Sequence, residues 1–237
     1  MCEHEKSAPG AIARRRFLGG ALGAGLVPFA PAALAAGSEG KDDSPPSTPA
    51  EALNRLYEGN QRFTEGRSLA VHRDLEHVKK IAARQAPFAA FLGCADSRVP
   101  IEFVFDQGFG DLFVTRIAGN VASSENIGSL EFGTQVLGAK VVYVLGHTAC
   151  GAVTAAMQGD EVPGQISGLF QFIRPAVKTA RGDQNKAVRE NVRNQATILA
   201  EASPVLARLI RQGKLIVAGG VYDLQTGRVT PVEIDLS

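Results

Sequence analysis

The chain has 237 residues, of which 45% are hydrophobic and 21% charged, enough for one sizeable core and incompatible with disorder throughout. Its formal charge is +1; residues 1–36 hold four basic and two acidic side chains, and the rest carries 21 basic against 22 acidic. Such a balance, with no basic stripe interleaved with aromatics, excludes the electrostatic footprint of a nucleic-acid binder, so the expected partners are small molecules and further copies of the chain.

Residues 1–36 read as an address rather than as part of the fold. Arg14-Arg15-Arg16-Phe17-Leu18 precedes an uncharged run to Ala36, broken by glycines and prolines and closing with Ala33-Leu34-Ala35. This resembles a twin-arginine (Tat) export signal with an A-x-A cleavage site, implying an exported, periplasmic chain with no stable membrane association after cleavage. The alternative is an uncleaved anchor, since about twenty uncharged residues can span a bilayer. Cys2 falls in this segment, leaving Cys94 and Cys150 beyond it.

Residues 37–49 have almost no apolar side chain and read as a flexible linker, so the folded domain is expected over 50–237. From Ala50 to Gly66, Leu53, Leu56, Tyr57 and Phe63 recur at helical steps and predict an amphipathic N-terminal arm that packs on a neighbour. A second helix is expected from Asp74 to Arg84, stopping before Ala86-Pro87. Phe88 to Leu92 is a continuous apolar run, short enough for a strand buried on both faces. A short helix over Pro100–Phe105, a strand over Asp111–Thr115, a helix over Ser129–Leu137 and a strand over Lys140–Leu145 follow.

After Cys150 a helix is expected to Gln158, then a Gly/Pro loop. Three helices cover Ile166–Ala180, Asn185–Ala200 and Pro204–Gln212. A strand over Lys214–Gly219 and one near Thr230–Ile234, joined through Gly227-Arg228, should pair antiparallel. The alternation predicts an α/β fold: a central parallel sheet of about four strands plus an antiparallel edge strand, flanked by helices, with an N-terminal helical arm.

Two loops carry the chemistry. Cys94-Ala95-Asp96-Ser97-Arg98 directly follows the first apolar run, and Gly146-His147-Thr148-Ala149-Cys150 follows the run Val141–Leu145. In an open parallel sheet, loops at the carboxyl ends of strands form the ligand crevice. Cys94, His147 and Cys150 supply three ligands for tetrahedral zinc with one open position, and thiolates argue against magnesium or calcium. Asp96 is either a fourth ligand that closes the site or the partner of Arg98, whose planar fork can hold a carboxylate and leave the fourth position to water. Two thiolates donate more charge than imidazoles, so activity should favour alkaline pH. Taken alone, two cysteines in an exported chain also suggest a disulfide, and a zinc closed by Asp96 would suggest a non-catalytic zinc-binding protein.

Cys-x-Asp-x-Arg after one buried strand and Gly-His-x-x-Cys-Gly after another resemble the β-class carbonic anhydrases. Gly59-Asn60-x-Arg62-Phe63, Gly110-Asp111-Leu112-Phe113-Val114-x-Arg116-x-Ala118-Gly119-Asn120 and Ser129-Leu130-Glu131-Phe132 extend the resemblance from about Ala50 to Leu236. It implies Zn²⁺ on Cys94, His147 and Cys150, with catalytic Asp96 and Arg98 controlling the open position, and conversion of CO₂ to bicarbonate and a proton. It further implies that Gln85 and the Gly151 N–H orient bicarbonate and that Phe113 and Phe132 wall an apolar CO₂ pocket. Phe132 stands where Tyr is frequent in the family, and the chain has no Trp for the accessory bicarbonate pocket of some members. The family also implies a homodimer through the N-terminal helices, or a tetramer. A hydrolase of carbonyl sulfide or carbon disulfide on the same scaffold would share the ligands. His72 and His77, in a charged segment, read as solvated surface histidines.

Overall fold

The structure, a computed structural model, describes residues 44–159 and 161–236. The export-signal reading of residues 1–36 and most of the linker reading lie outside the described residues. No described helix is long and apolar enough to cross a membrane.

Helix α1 (Pro49–Thr64) starts where the sequence supplies its N-terminal devices. The Glu51 N–H donates to Thr48 Oγ1 at 3.2 Å, the Glu51 carboxylate accepts from the Thr48 N–H at 3.3 Å, and Pro49 occupies the first turn. Two otherwise orphaned donors are thereby satisfied, so Thr48 and Pro49 open the helix instead of closing the linker. Helix α2 (Leu75–Ile81) is capped by Asp74 and is shorter at both ends than expected.

The sheet has five strands, β1 (Ala89–Gly93), β2 (Leu112–Arg116), β3 (Val141–His147), β4 (Ile216–Tyr222) and β5 (Val229–Val232), in the order β2-β1-β3-β4-β5. The first four are parallel and β5 pairs antiparallel with β4, as expected from the short turn. β1 and β3 are wholly buried, and their side chains alternate between two cores. Ala90, Leu92, Val142 and Val144 face one, covered by α5 (Gly151–Gln158), α6 (Ser167–Ala180), α7 (Gln184–Ala202) and α8 (Pro204–Arg211). Ala89, Phe91, Val141, Tyr143 and Leu145 face the other, covered by α1 and α3 (Ile101–Val104). This period of two is why continuous apolar runs were needed: each strand feeds both layers.

The first three strands each begin one residue later than expected, because interstrand pairing sets their ends. The helix expected over Ser129–Leu137 starts earlier, as α4 (Ser124–Glu131), and continues as a wider π turn over Phe132–Val136. There Thr134 Oγ1 donates to the Leu130 carbonyl at 2.8 Å, competing with the backbone ladder.

One buried carboxylate ties the α1 layer together. Asp106 is 0% exposed and accepts from Arg62 Nε (2.7 Å), Arg73 Nη2 (3.2 Å), and the Leu69 (3.0 Å) and Ala70 (3.3 Å) N–H groups. Burial alone would raise its pKa, but those donors outweigh it and hold the carboxyl below its ordinary value. Asn60 donates to the Val104 (3.0 Å) and Gly227 (2.9 Å) carbonyls and accepts from the Val229 N–H (2.8 Å). A Cβ on Gly59 would sit 1.8 Å from the Phe105 carbonyl oxygen. The Gly59-Asn60-x-Arg62 motif is thus a joint between α1 and the sheet. His72 also differs from its expectation: it is half-buried, with Nδ1 3.1 Å from both Asp111 oxygens and its ring stacked on His77 at 4.0 Å.

Candidate metal centre

β1 and β3 are parallel neighbours with Gly93 opposite Leu145, so the segments leaving them emerge at the same sheet edge. Cys94 is the first residue past β1, His147 the last of β3, and Cys150 the N-cap of α5. All three are buried, and their ligand atoms lie within 4.8 Å of one another. The sulfurs are 4.0 Å apart and both cysteines are free, so the disulfide alternative is not realised. Tetrahedral zinc with bonds of about 2.3 Å to sulfur would space two sulfurs by about 3.8 Å.

The imidazole is prepared in the same sense. His147 Nδ1 lies 3.0 Å from the Thr148 carbonyl oxygen. A carbonyl only accepts, so Nδ1 carries the proton and Nε2 presents its lone pair. Nε2 is buried with no hydrogen-bond partner among the described residues. An orphaned imidazole nitrogen beside two sulfurs fits a borderline-soft divalent cation such as zinc.

The two sulfurs lie within S–H···S range of each other. The Cys150 S–H and, after it, His147 and the Gly119 N–H at 3.3 Å pull the Cys94 thiol down against the opposing effect of burial, while the Cys94 thiolate and burial push Cys150 up. Burial pulls His147 down, but the Cys94 thiolate outweighs it and the net shift is upward. The field that attracts a proton here attracts a metal cation as well, and metal binding would release the proton.

Asp96 stands at the rim of this cluster and is held by Arg98. Arg98 donates from its backbone N–H (2.9 Å) and Nε (2.9 Å) to Oδ1 and from Nη2 (2.8 Å) to Oδ2. That two-pronged contact holds the carboxyl well below the usual carboxylate range. Asp96 Oδ2 is 3.7 Å from His147 Nε2, beyond hydrogen-bond range. Arg98 also reaches the Ala149 carbonyl at 3.4 Å, bridging the two ligand loops.

The remaining expected residues fall into two groups. Gly151 opens α5 beside Cys150 and is exposed, and its N–H is one of the first-turn donors that a helix leaves without an intrahelical partner. The Phe113 and Phe132 rings are 6.3 Å apart; Phe113 packs on the core that contains both cysteines, and Phe132 is 47% exposed. Gln85, by contrast, is exposed in a groove lined by Ile81, Arg84, Val136 and Leu137, and no described hydrogen bond joins it to Cys94, His147 or Cys150. Sequence reasoning missed the function of Arg116, at the end of β2, which donates to the Cys94 (3.0 Å) and Asp96 (2.5 Å) carbonyls and fixes the ligand loop. Its position one residue before Ile117-Ala118-Gly119-Asn120 was the only sequence signal.

The carbonic anhydrase family model matches residues 89–229. Carbonic anhydrase 2 of Mycobacterium tuberculosis is 38% identical over 192 residues, covering 78% of this chain and 93% of that protein. The carbonic anhydrase of Mycolicibacterium smegmatis is 35% identical over 193 residues, covering 78% and 94%. Among solved structures, Coccomyxa β-carbonic anhydrase in complex with acetazolamide superposes with a TM-score of 0.60 at 28% identity, over 76% of this chain and 86% of that one. A tetrameric β-carbonic anhydrase of Sordaria macrospora gives a TM-score of 0.63 at 21% identity, over 79% and 97%, a likeness of fold alone. The extent of these matches, reaching across both ligand loops and the sheet that brings them together, establishes that this chain belongs to the carbonic anhydrase family of lyases, in its β class.

Proposed function

We propose that the chain is a zinc enzyme that reversibly hydrates CO₂ to bicarbonate and a proton. The observation that carries this reading is the convergence of Cys94, His147 and Cys150 within 4.8 Å beside an Asp96 engaged by Arg98. Zinc bound there supplies a Lewis acid that makes water nucleophilic near neutral pH. Arg98 keeps the Asp96 carboxylate ionised and away from the fourth position. Phe113 and Phe132 offer CO₂ an apolar wall, and the first-turn N–H of Gly151 offers an oxygen of bicarbonate a donor.

Gln85 is read as a second bicarbonate donor, brought to the site by assembly. Its exposure beside Val136, itself 63% exposed, supports a homodimer, or a tetramer, as the working form. The arginine-led segment at residues 14–18 supports export, with the periplasm as the place of action. Stopped-flow CO₂ hydration on metal-quantified protein at pH 7 and pH 9 tests the proposal. We expect acceleration proportional to bound zinc and stronger at pH 9; full zinc occupancy with no acceleration at either pH would reject it.

A further inference from the structure

Outside the ligand loops, two amides are buried inside α7. Asn191 and Gln195 are 1% and 0% exposed and lie one helical turn apart. Burying two amides costs free energy unless every donor and acceptor is matched, and apolar side chains would fill the same space more simply. Here the matching has a direction. The Ala122 N–H donates to Gln195 Oε1 at 2.8 Å, Gln195 Nε2 to Asn191 Oδ1 at 3.1 Å, Asn191 Nδ2 to the Gly119 carbonyl at 2.8 Å, and the Gly119 N–H to Cys94 Sγ at 3.3 Å. The amide orientations follow from the fixed partners: a backbone N–H can only meet Oε1, and a backbone carbonyl can only meet Nδ2.

The receiving residue is itself held in an uncommon shape. Gly119 has φ +75° and Asn120 φ +45°, and the left-handed region is strained for a non-glycine residue. A Cβ on Gly119 would sit 2.7 Å from Ile173 Cδ1, so α6 leaves no room for a side chain at Gly119 while Asn191 holds its carbonyl. Gln195 Nε2 also donates to the Phe172 carbonyl at 3.0 Å, anchoring the chain to α6.

We propose that Asn191 and Gln195 are positioning residues for the metal centre: they fix Gly119 and, with it, the N–H that donates to the Cys94 sulfur. This rests on the reading of Cys94 as a metal ligand. A hydrogen bond to a thiolate draws charge from it, so an N–H held in place on Cys94 limits what that sulfur donates to the metal. With two thiolates in the set, such withdrawal keeps the metal electrophilic. The residues touch neither metal nor substrate and act only through Gly119.

Cobalt(II) substitution tests this, because a thiolate-to-cobalt charge-transfer band reports the electron density on sulfur. In Asn191→Leu the band should move to longer wavelength and cobalt affinity should fall about tenfold; Gln195→Leu, one link further away, should shift it less. Leu199→Ala, buried on the same helix and outside the hydrogen-bonded line, should lower the unfolding midpoint and leave the band in place. An unmoved band in a cobalt-loaded Asn191→Leu protein overturns the proposal, as does failure of both amide variants to hold cobalt, which would make the amides plain structural supports. A wild-type cobalt protein with no sulfur band removes the metal reading and this inference together. A band that shifts as expected in a protein with no CO₂ hydration upholds the inference and rejects the activity instead.

Discussion

Asp96 and Asp106 are ten residues apart and each is held by arginine, yet the two regions are built for opposite purposes. Asp96 is gripped by Arg98, two residues away and 54% exposed at its side chain. Asp106 has no exposed side-chain surface and collects Arg62, Arg73 and two backbone N–H groups from distant segments. A local, solvated pair can open at small structural cost, because water replaces either partner. A buried carboxylate among donors from several segments cannot, because its loss strands all of them. The same chemistry therefore gives a pair that can open at the sheet edge, the gate of the proposed function, and a rivet beneath α1.

The largest expected effect falls on the rivet. Asp106→Asn leaves Arg62 and Arg73 without their charge partner and should cost about 3–5 kcal/mol in urea unfolding, while the zinc-loaded folded fraction keeps its CO₂ hydration rate per metal. The pH dependence follows the same residue. A carboxyl whose folded pKa is depressed stabilises the fold above its unfolded value near 3.9 and loses that contribution as pH falls through the folded value. Wild-type stability should therefore drop as pH falls below about 4, and the drop should be shallower in Asp106→Asn.

Asp96→Asn should reverse the pattern, with hydration reduced on the order of a hundredfold and an unfolding midpoint close to wild type. Equal losses of stability in the two variants would erase the distinction between gate and rivet. Arg98→Lys keeps the charge but not the two-pronged fork, so hydration should fall by about tenfold, less than in Asp96→Asn, with zinc content unchanged. The smallest effect is expected from Phe132→Tyr, which adds a hydroxyl at a half-exposed ring and should shift stability by less than about 0.5 kcal/mol.

The parts legible in the sequence are those with a local signature. β1 and β3 announced themselves because both faces are buried, and Cys94, His147 and Cys150 because each lies at or just beyond a strand end. The rivet was hidden because Arg62 and Asp106 are 44 residues apart and nothing in either neighbourhood names the other. His72 misled for the same reason: its charged surroundings in sequence gave no sign of Asp111, 39 residues on. Arg116 was visible within a motif, but its work is done on backbone carbonyls, which carry no sequence label. Gln85 is the remaining case, since the groove that holds it on one chain does not bring it to the ligands.

The most direct measurement is a crystal structure of the zinc-loaded protein at pH 8, read for the partner of Asp96. The account predicts zinc on Cys94, His147 and Cys150 with the Asp96 carboxylate on Arg98. An Asp96 oxygen bound to the metal at that pH, with Arg98 turned away, would contradict it.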